Sequence, residues 1–183
     1  MNEKRVFSVL VNNHFGVLTR VAGLFARRGY NIDSLTVGVT EHPEYSRMTI
    51  VARGSHSVFE QISKQLAKLH DVKHIEVLTA EDAVIRELMF IKVSTESASM
   101  TAVREVADIF RAKVVDVADE SMTIEATGDS LKLEGLLKKL KPFGIKEIVQ
   151  TGITGIARGD HSLIDKKKHA EKTVLNGSVN QGE

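Results

Sequence analysis

The strongest constraint on the fold is a pattern of apolar residues that the chain repeats. Val6, Phe7, Val9, Leu10 and Val11 form a short β-type run that ends at Asn12-Asn13-His14-Phe15-Gly16. Leu18, Val21, Ala22 and Phe25 follow at i, i+3, i+4 and i+7, the apolar stripe of one helix, and Gly29 stands where a helix C-cap glycine belongs. Strands are expected over 32–39 and 48–52, around a polar turn containing Pro43. Phe59, Ile62, Leu66 and Leu69 mark a second helix, and 72–78 a closing strand. The order is βαββαβ. It returns about eighty positions later: a strand over 88–93, a stripe of Val103, Val106, Ala107 and Phe110, and strands over 114–117 and 122–126 around Asp119-Glu120-Ser121. Then come Leu133, Leu136, Leu137 and Leu140 in a helix stopped by Pro142 and Gly144, and a last strand over 145–149.

Two tandem ferredoxin-like βαββαβ sandwiches, an α+β architecture, use nearly every apolar residue. The expected boundaries are 1–80, 81–159 and a solvated tail over 160–183. In that tail Lys166-Lys167-Lys168 is offset by Asp160, Asp165, Glu171 and Glu183. Two helices cover one face of a four-stranded sheet. Val6 and Leu10 lie on the side opposite Phe7, Val9 and Val11, so the reading expects an open, partly apolar face that seeks a partner, and hence self-association.

Composition removes several function classes. Lys plus Arg total 25 against 24 Asp plus Glu, a formal charge of +1, which gives no general electrostatic attraction to nucleic acid or an anionic membrane. There is no Cys, so thiolate metal sites, iron–sulfur clusters and cysteine nucleophiles are excluded. An RNA-recognition domain shares the βαββαβ order, but the strand from Arg47 to Arg53 carries no aromatic on which a base could stack. No run approaches the ~20 apolar residues of a membrane span, and the apolar run near the start is too short for a secretory signal. The expectation is a cytoplasmic protein.

No catalytic constellation emerges. His70 and His74 have i, i+4 spacing but should not share a helix face, because Asp71-Val72 falls where the helix ends. The glycines from Gly152 to Gly159 fit neither dinucleotide nor P-loop spacing. What remains is the loop Asn12 to Gly16 leading into Val17 and Leu18. A glycine at a helix entrance lets a ligand approach the backbone. First-turn amides lack intrahelical acceptors and carry the positive end of the helix dipole, so they can receive a carboxylate or phosphate. Asn13 is expected either to cap the helix or to read a second polar group of the ligand.

The motifs Asn13-x-x-Gly16-Val17-Leu18-x-Arg20-Val21, Gly23-Leu24-Phe25, Arg28-Gly29-Tyr30-Asn31-Ile32-Asp33-Ser34-Leu35 and Ser46-Arg47-Met48-Thr49-Ile50 resemble the ACT domain of the acetolactate synthase small-subunit family. In the second unit Arg86-Glu87-Leu88-Met89, Phe110-Arg111-Ala112-Lys113-Val114 and the closing Gly152 to Gly159 are similar to the same family, so the likeness covers roughly residues 4 to 160. It implies a regulatory subunit without catalytic residues, serving branched-chain amino-acid synthesis. That subunit pairs as a homodimer, binds and activates the large catalytic subunit, and confers feedback inhibition by valine at the two-fold ACT interface. Carried over, Asn13, Gly16, Val17 and Leu18 of one chain would hold the amino acid's carboxylate and ammonium, with His14 and Phe15 in the same site. Asn31 and Ile32 of the partner would close the pocket. The resemblance puts thiamine diphosphate, Mg and FAD on the catalytic partner and no cofactor or metal on this chain. One methylene in an apolar pocket is worth only ~1–3 kcal/mol, which leaves leucine and isoleucine as weaker competitors. A free-standing ACT amino-acid sensor for another enzyme is the alternative that residues 4 to 79 alone permit.

Overall fold

A computed structural model of the protein describes residues 3–95, 100–160 and 162–164. These fall into two compact units. The first comprises residues 3–84 together with 155–164, and the second is Ile85–Thr154.

The first unit runs β1 (Glu3–Asn12), α1 (Val17–Arg28), β2 (Ile32–Val39), β3 (Tyr45–Gly54), α2 (His56–Leu66) and β4 (Val72–Leu78). Its sheet has the order β2-β3-β1-β4, with every neighbouring pair antiparallel. The central strand β1 pairs Phe7 with Ile50 and Val9 with Met48, so these four side chains share one face. Both helices lie on that face, and Phe7, Val9, Val11, Met48, Ile50 and Ala52 pack with Val21, Phe25, Phe59, Ile62 and Leu66 in one core. α2 ends at Leu66, short of the expected Leu69, which packs against the core from the loop beyond the helix.

Two expectations need correction here. The buried stripe of α1 is Val17, Val21, Leu24 and Phe25. Leu18, placed on the stripe by periodicity alone, is 46% exposed on its flank. The i, i+3, i+4, i+7 and the i, i+4, i+7, i+8 readings of one sequence differ by a single residue's rotation, about 100°. The helix begins at Val17, after Gly16 turns the chain with φ 87°, and Val17 is the residue that points inward. The second correction concerns the open face of the sheet. Leu10 is fully buried, but not by a second molecule: Leu163, Ile164 and Tyr45 pack over it. The chain returns to the first unit after Gly155, where the Arg158 amide donates to the Asp82 carbonyl at 2.8 Å. The part of the expected tail at residues 162–164 is therefore packed, and the rest of it, from 165 on, lies outside the described residues.

The second unit repeats the order with β5 (Ala83–Ser94), α3 (Met100–Ile109), β6 (Lys113–Ala118), β7 (Ser121–Gly128), α4 (Ser130–Leu140) and β8 (Ile145–Gln150). A short β9 (Thr154–Ala157) pairs with β5 outside the β6-β7-β5-β8 path. Met89, Ile91, Val93, Met122 and Ile124 face Val103, Ala107, Leu133, Leu136 and Leu140 from the helices. The start of α4 is fixed by Asp129, whose carboxylate accepts from the Lys132 amide at 2.8 Å. Its end is fixed by the Lys141–Phe143 turn and Gly144 with φ 88°. Glu87 is buried and accepts from Ser130 Oγ at 2.7 Å and from Gln150 Nε2, joining β5 to α4 and β8. No described helix is long and apolar enough to cross a membrane.

Candidate functional site

The loop between β1 and α1 is held from both sides. The Asn12 amide donates to the Asp71 carbonyl at 2.9 Å, and the Asn13 amide to the Glu44 carbonyl at 2.8 Å. The Asn13 side chain donates to the Pro43 carbonyl at 2.8 Å, which anchors the loop to the β2–β3 turn. Asn13 is thus not the helix cap. Gly16 occupies the cap position, no side chain caps the first turn, and the bond that opens the helix runs from the Arg20 amide to the Gly16 carbonyl at 3.0 Å. The amides of Val17, Leu18 and Thr19 precede that bond and have no intrahelical acceptor. A Cβ added to Gly16 would meet nothing within 4 Å, so the backbone is open at this point. Phe15 beside it is fully exposed and Leu18 half exposed, while Val17 turns into the core. The entrance to α1 therefore offers three donor amides at the positive end of a helix, bordered by apolar surface.

A buried carboxylate lies behind the loop, one that periodicity did not flag. Asp71, between α2 and β4, is 4% exposed. Its Oδ2 takes Arg20 Nη1 at 2.5 Å, and its Oδ1 takes Asn12 Nδ2 at 3.4 Å and faces His14 Nε2 at 2.9 Å. Burial pushes the Asp71 carboxyl up. The hydrogen bonds from Arg20, Asn12 and His14, with the Arg20 charge, outweigh burial and hold it below the usual 3.8. The sequence signal that could have found Asp71 is its place at the mouth of β4, the strand beside β1. The antiparallel pairing of β4 with β1 brings the residue before Val72 next to Asn12.

Asn31 and Ile32 lie elsewhere. Gly29 closes α1 in the left-handed region at φ 67°, and the Tyr30 amide returns to the Phe25 carbonyl at 3.0 Å. Asn31 is exposed and donates to Asp33 Oδ1 at 3.1 Å, and Ile32 packs partly against its own core. The twelve residues of α1 separate the two halves of the expected site by ~18 Å. The register agrees: Ile32 sits beside Ala52, which pairs with Arg5, whereas Asn12 pairs with Tyr45 at the far end of the same strand. One chain does not bring these residues together. His70 and His74 form no metal cluster with other His, Asp or Glu among the described residues.

Residues 7–76 match the model of the AHAS small subunit-like ACT domain, and residues 86–159 that of the small subunit of acetolactate synthase. An acetolactate synthase small subunit of Mycobacterium bovis is 51% identical over 156 residues, which span 85% of this chain and 93% of that one. The chain belongs to the acetolactate synthase small-subunit family. The Bacillus subtilis small subunit is 43% identical over 173 residues, covering 93% of this chain and 98% of its own. A crystal structure of the Thermotoga maritima small subunit superposes with a TM-score of 0.79 at 38% identity, over 87% of this chain and 99% of that one. This acetolactate synthase small subunit is thus a regulatory protein whose first unit is an ACT domain.

Proposed function

We propose that this small subunit binds and activates the catalytic subunit of acetolactate synthase and confers feedback inhibition by valine, bound where two ACT domains meet. One observation carries the reading. The donor loop at Gly16 and the segment at Asn31–Ile32 stand at opposite ends of α1, so a two-fold axis across α1 sets the loop of one chain against the segment of its partner. Such a pocket has donor amides for the carboxylate and apolar side chains for the valine methyls. The strand that leads away from Asn31 supports the same pairing: β2 is an edge strand, with Val37 and Val39 about half exposed or more. Thiamine diphosphate, Mg and FAD belong to the catalytic subunit on this reading. The small subunit acts by favouring one state of its partner, a coupling typically worth ~1–3 kcal/mol.

The test is calorimetric titration of the purified chain with L-valine, with leucine, isoleucine and D-valine as comparators. Reconstitution with the catalytic subunit follows, with acetolactate formation as readout. The reading expects saturable, stereoselective heat with a stoichiometry set by the dimer, activation on adding the small subunit, and loss of that activation with valine. Absence of both heat and activation overturns it.

A further inference from the structure

Asp71 is the one buried acidic side chain of the first unit among the described residues, and its contacts all go to the loop that the proposed function places at the effector. Its partners bracket that loop. Asn12 is its first residue, His14 its middle, and Arg20 lies in the first turn of the helix beyond it. The carboxylate and its own main-chain carbonyl therefore hold the entrance, the middle and the exit of one short segment. A buried carboxylate stripped of such donors would carry a desolvation penalty with nothing to offset it, so the contacts are mutually dependent.

His14 ties the middle of the loop to the same carboxylate. Its Nε2 faces the Asp71 carboxylate at 2.9 Å and its Nδ1 faces the Phe15 carbonyl at 3.1 Å. Both neighbours are acceptors, so a ring N–H on either side finds a partner. The Arg20 guanidinium lies on the other oxygen of the same carboxylate at the α1 entrance. The other ionisable groups on the segments packed here are Glu41, His42 and Glu44 in the β2–β3 turn, and His70 and Lys73 around Asp71. The Lys73 ammonium is turned to the His70 carbonyl at 3.3 Å.

We propose that Asp71 is the positioning residue of the effector loop: through Asn12, His14 and Arg20 it holds the loop and the first turn of α1 in one arrangement, so that the open amides of α1 keep a fixed place for the ligand's carboxylate. The proposal rests on the effector reading above and deepens it.

The experiment compares the full-length chain with Asp71→Asn, Asp71→Glu, His14→Gln and Arg20→Gln by calorimetry with L-valine. Expected are at least tenfold weaker valine binding in Asp71→Asn, partial recovery in Asp71→Glu, and weaker binding in both His14→Gln and Arg20→Gln. Asp71→Asn binding within twofold of the parent overturns the proposal. Should Asp71→Asn not fold, the two exposed positions decide: unchanged affinity in both Arg20→Gln and His14→Gln overturns it. If the parent chain itself takes up no valine, the effector reading fails separately. The positioning role is then read from amide exchange at Asn12, Asn13 and Arg20, which must accelerate in His14→Gln and in any folded Asp71 variant, and equal rates overturn the proposal.

Discussion

Replacing Gly16 by aspartate separates two things that glycine provides at the entrance to α1, a left-handed backbone and an unobstructed approach to the first-turn amides. The backbone cost is small. An L-residue held at φ 87° costs roughly 1–2 kcal/mol, and aspartate and asparagine tolerate the left-handed region better than other side chains. The new Cβ meets nothing within 4 Å, so no steric cost is added. A carboxylate at a helix N-terminus returns ~0.3–1 kcal/mol. The net loss of stability is therefore about 0–1.7 kcal/mol, a melting shift of at most roughly 7 °C for a chain of this size. The effect on the ligand is much larger. Two carboxylates about 4 Å apart at an effective dielectric near 20 repel by ~4 kcal/mol, which is about three orders of magnitude in Kd. Gly16→Asn is the control, with the same backbone demand and nearly the same shape but no charge. Calorimetry with L-valine alongside thermal melting should show both variants folded, the asparagine variant within about tenfold of the parent and the aspartate variant silent. Valine binding by Gly16→Asp would refute the site. Equal loss in both variants would show that shape at position 16, not charge, governs binding and would refute the electrostatic argument.

Three further outcomes follow from the packing and charge described above. Leu163→Ala should cost ~2–3 kcal/mol, because Leu163 is nearly fully buried against Leu10, and urea unfolding of the full chain measures it. A change below 0.5 kcal/mol, the ordinary range for a surface substitution, would contradict that packing. Gly54→Ala should be destabilising by ~1–3 kcal/mol, since its Cβ would fall 2.8 Å from Val58 Cγ1 and 2.9 Å from Val58 Cβ, neither of which is the free end of a long side chain. For pH, the Arg53 hydrogen bond is the main cause of a lowered Asp33 carboxyl, opposed by burial and helped by the Arg53 and Lys4 charges, while Asp71 is lowered as described. Depressed folded-state values mean that both groups stabilise the fold above the usual 3.8 and that this contribution is lost as pH falls through the folded values. Unfolding free energy measured from pH 6 to pH 3 should fall less steeply in Asp33→Asn than in the parent.

How much of this was legible beforehand can be read from particular residues. Strands 32–39 and 72–78 fall where alternation and turn residues put them. In the helices Phe59, Ile62 and Leu66, and Leu133, Leu136 and Leu140, are buried as their spacing implies, because a stripe of large aliphatic side chains has one way to leave water. Periodicity was ambiguous at Leu18, where two phases share Val21 and Phe25 and only the backbone turn at Gly16 selects between them. Of the candidate site, the donor loop followed from Gly16 preceding an apolar stripe, a local signal. Asp71 did not, because its role depends on β4 lying beside β1, a pairing between residues nearly sixty positions apart. The cap alternative for Asn13 failed for the same reason: the acceptor of its side chain, the Pro43 carbonyl, is thirty residues away. Contacts at such separation leave no spacing pattern to read.

The closing of the first unit by Leu163 and Ile164 has a consequence for how the chain is made. The second unit, Ile85–Thr154, is in effect spliced into the first, so the ribosome completes it before the residues that cover Leu10 exist. At ~5–20 residues per second that delay lasts several seconds. Throughout it the nascent ACT sheet carries an uncovered leucine at its centre. A fragment ending at residue 84 would carry the same bare spot permanently, and its clumping or low yield would reflect a missing piece of the first unit, not a weakness in the ACT fold.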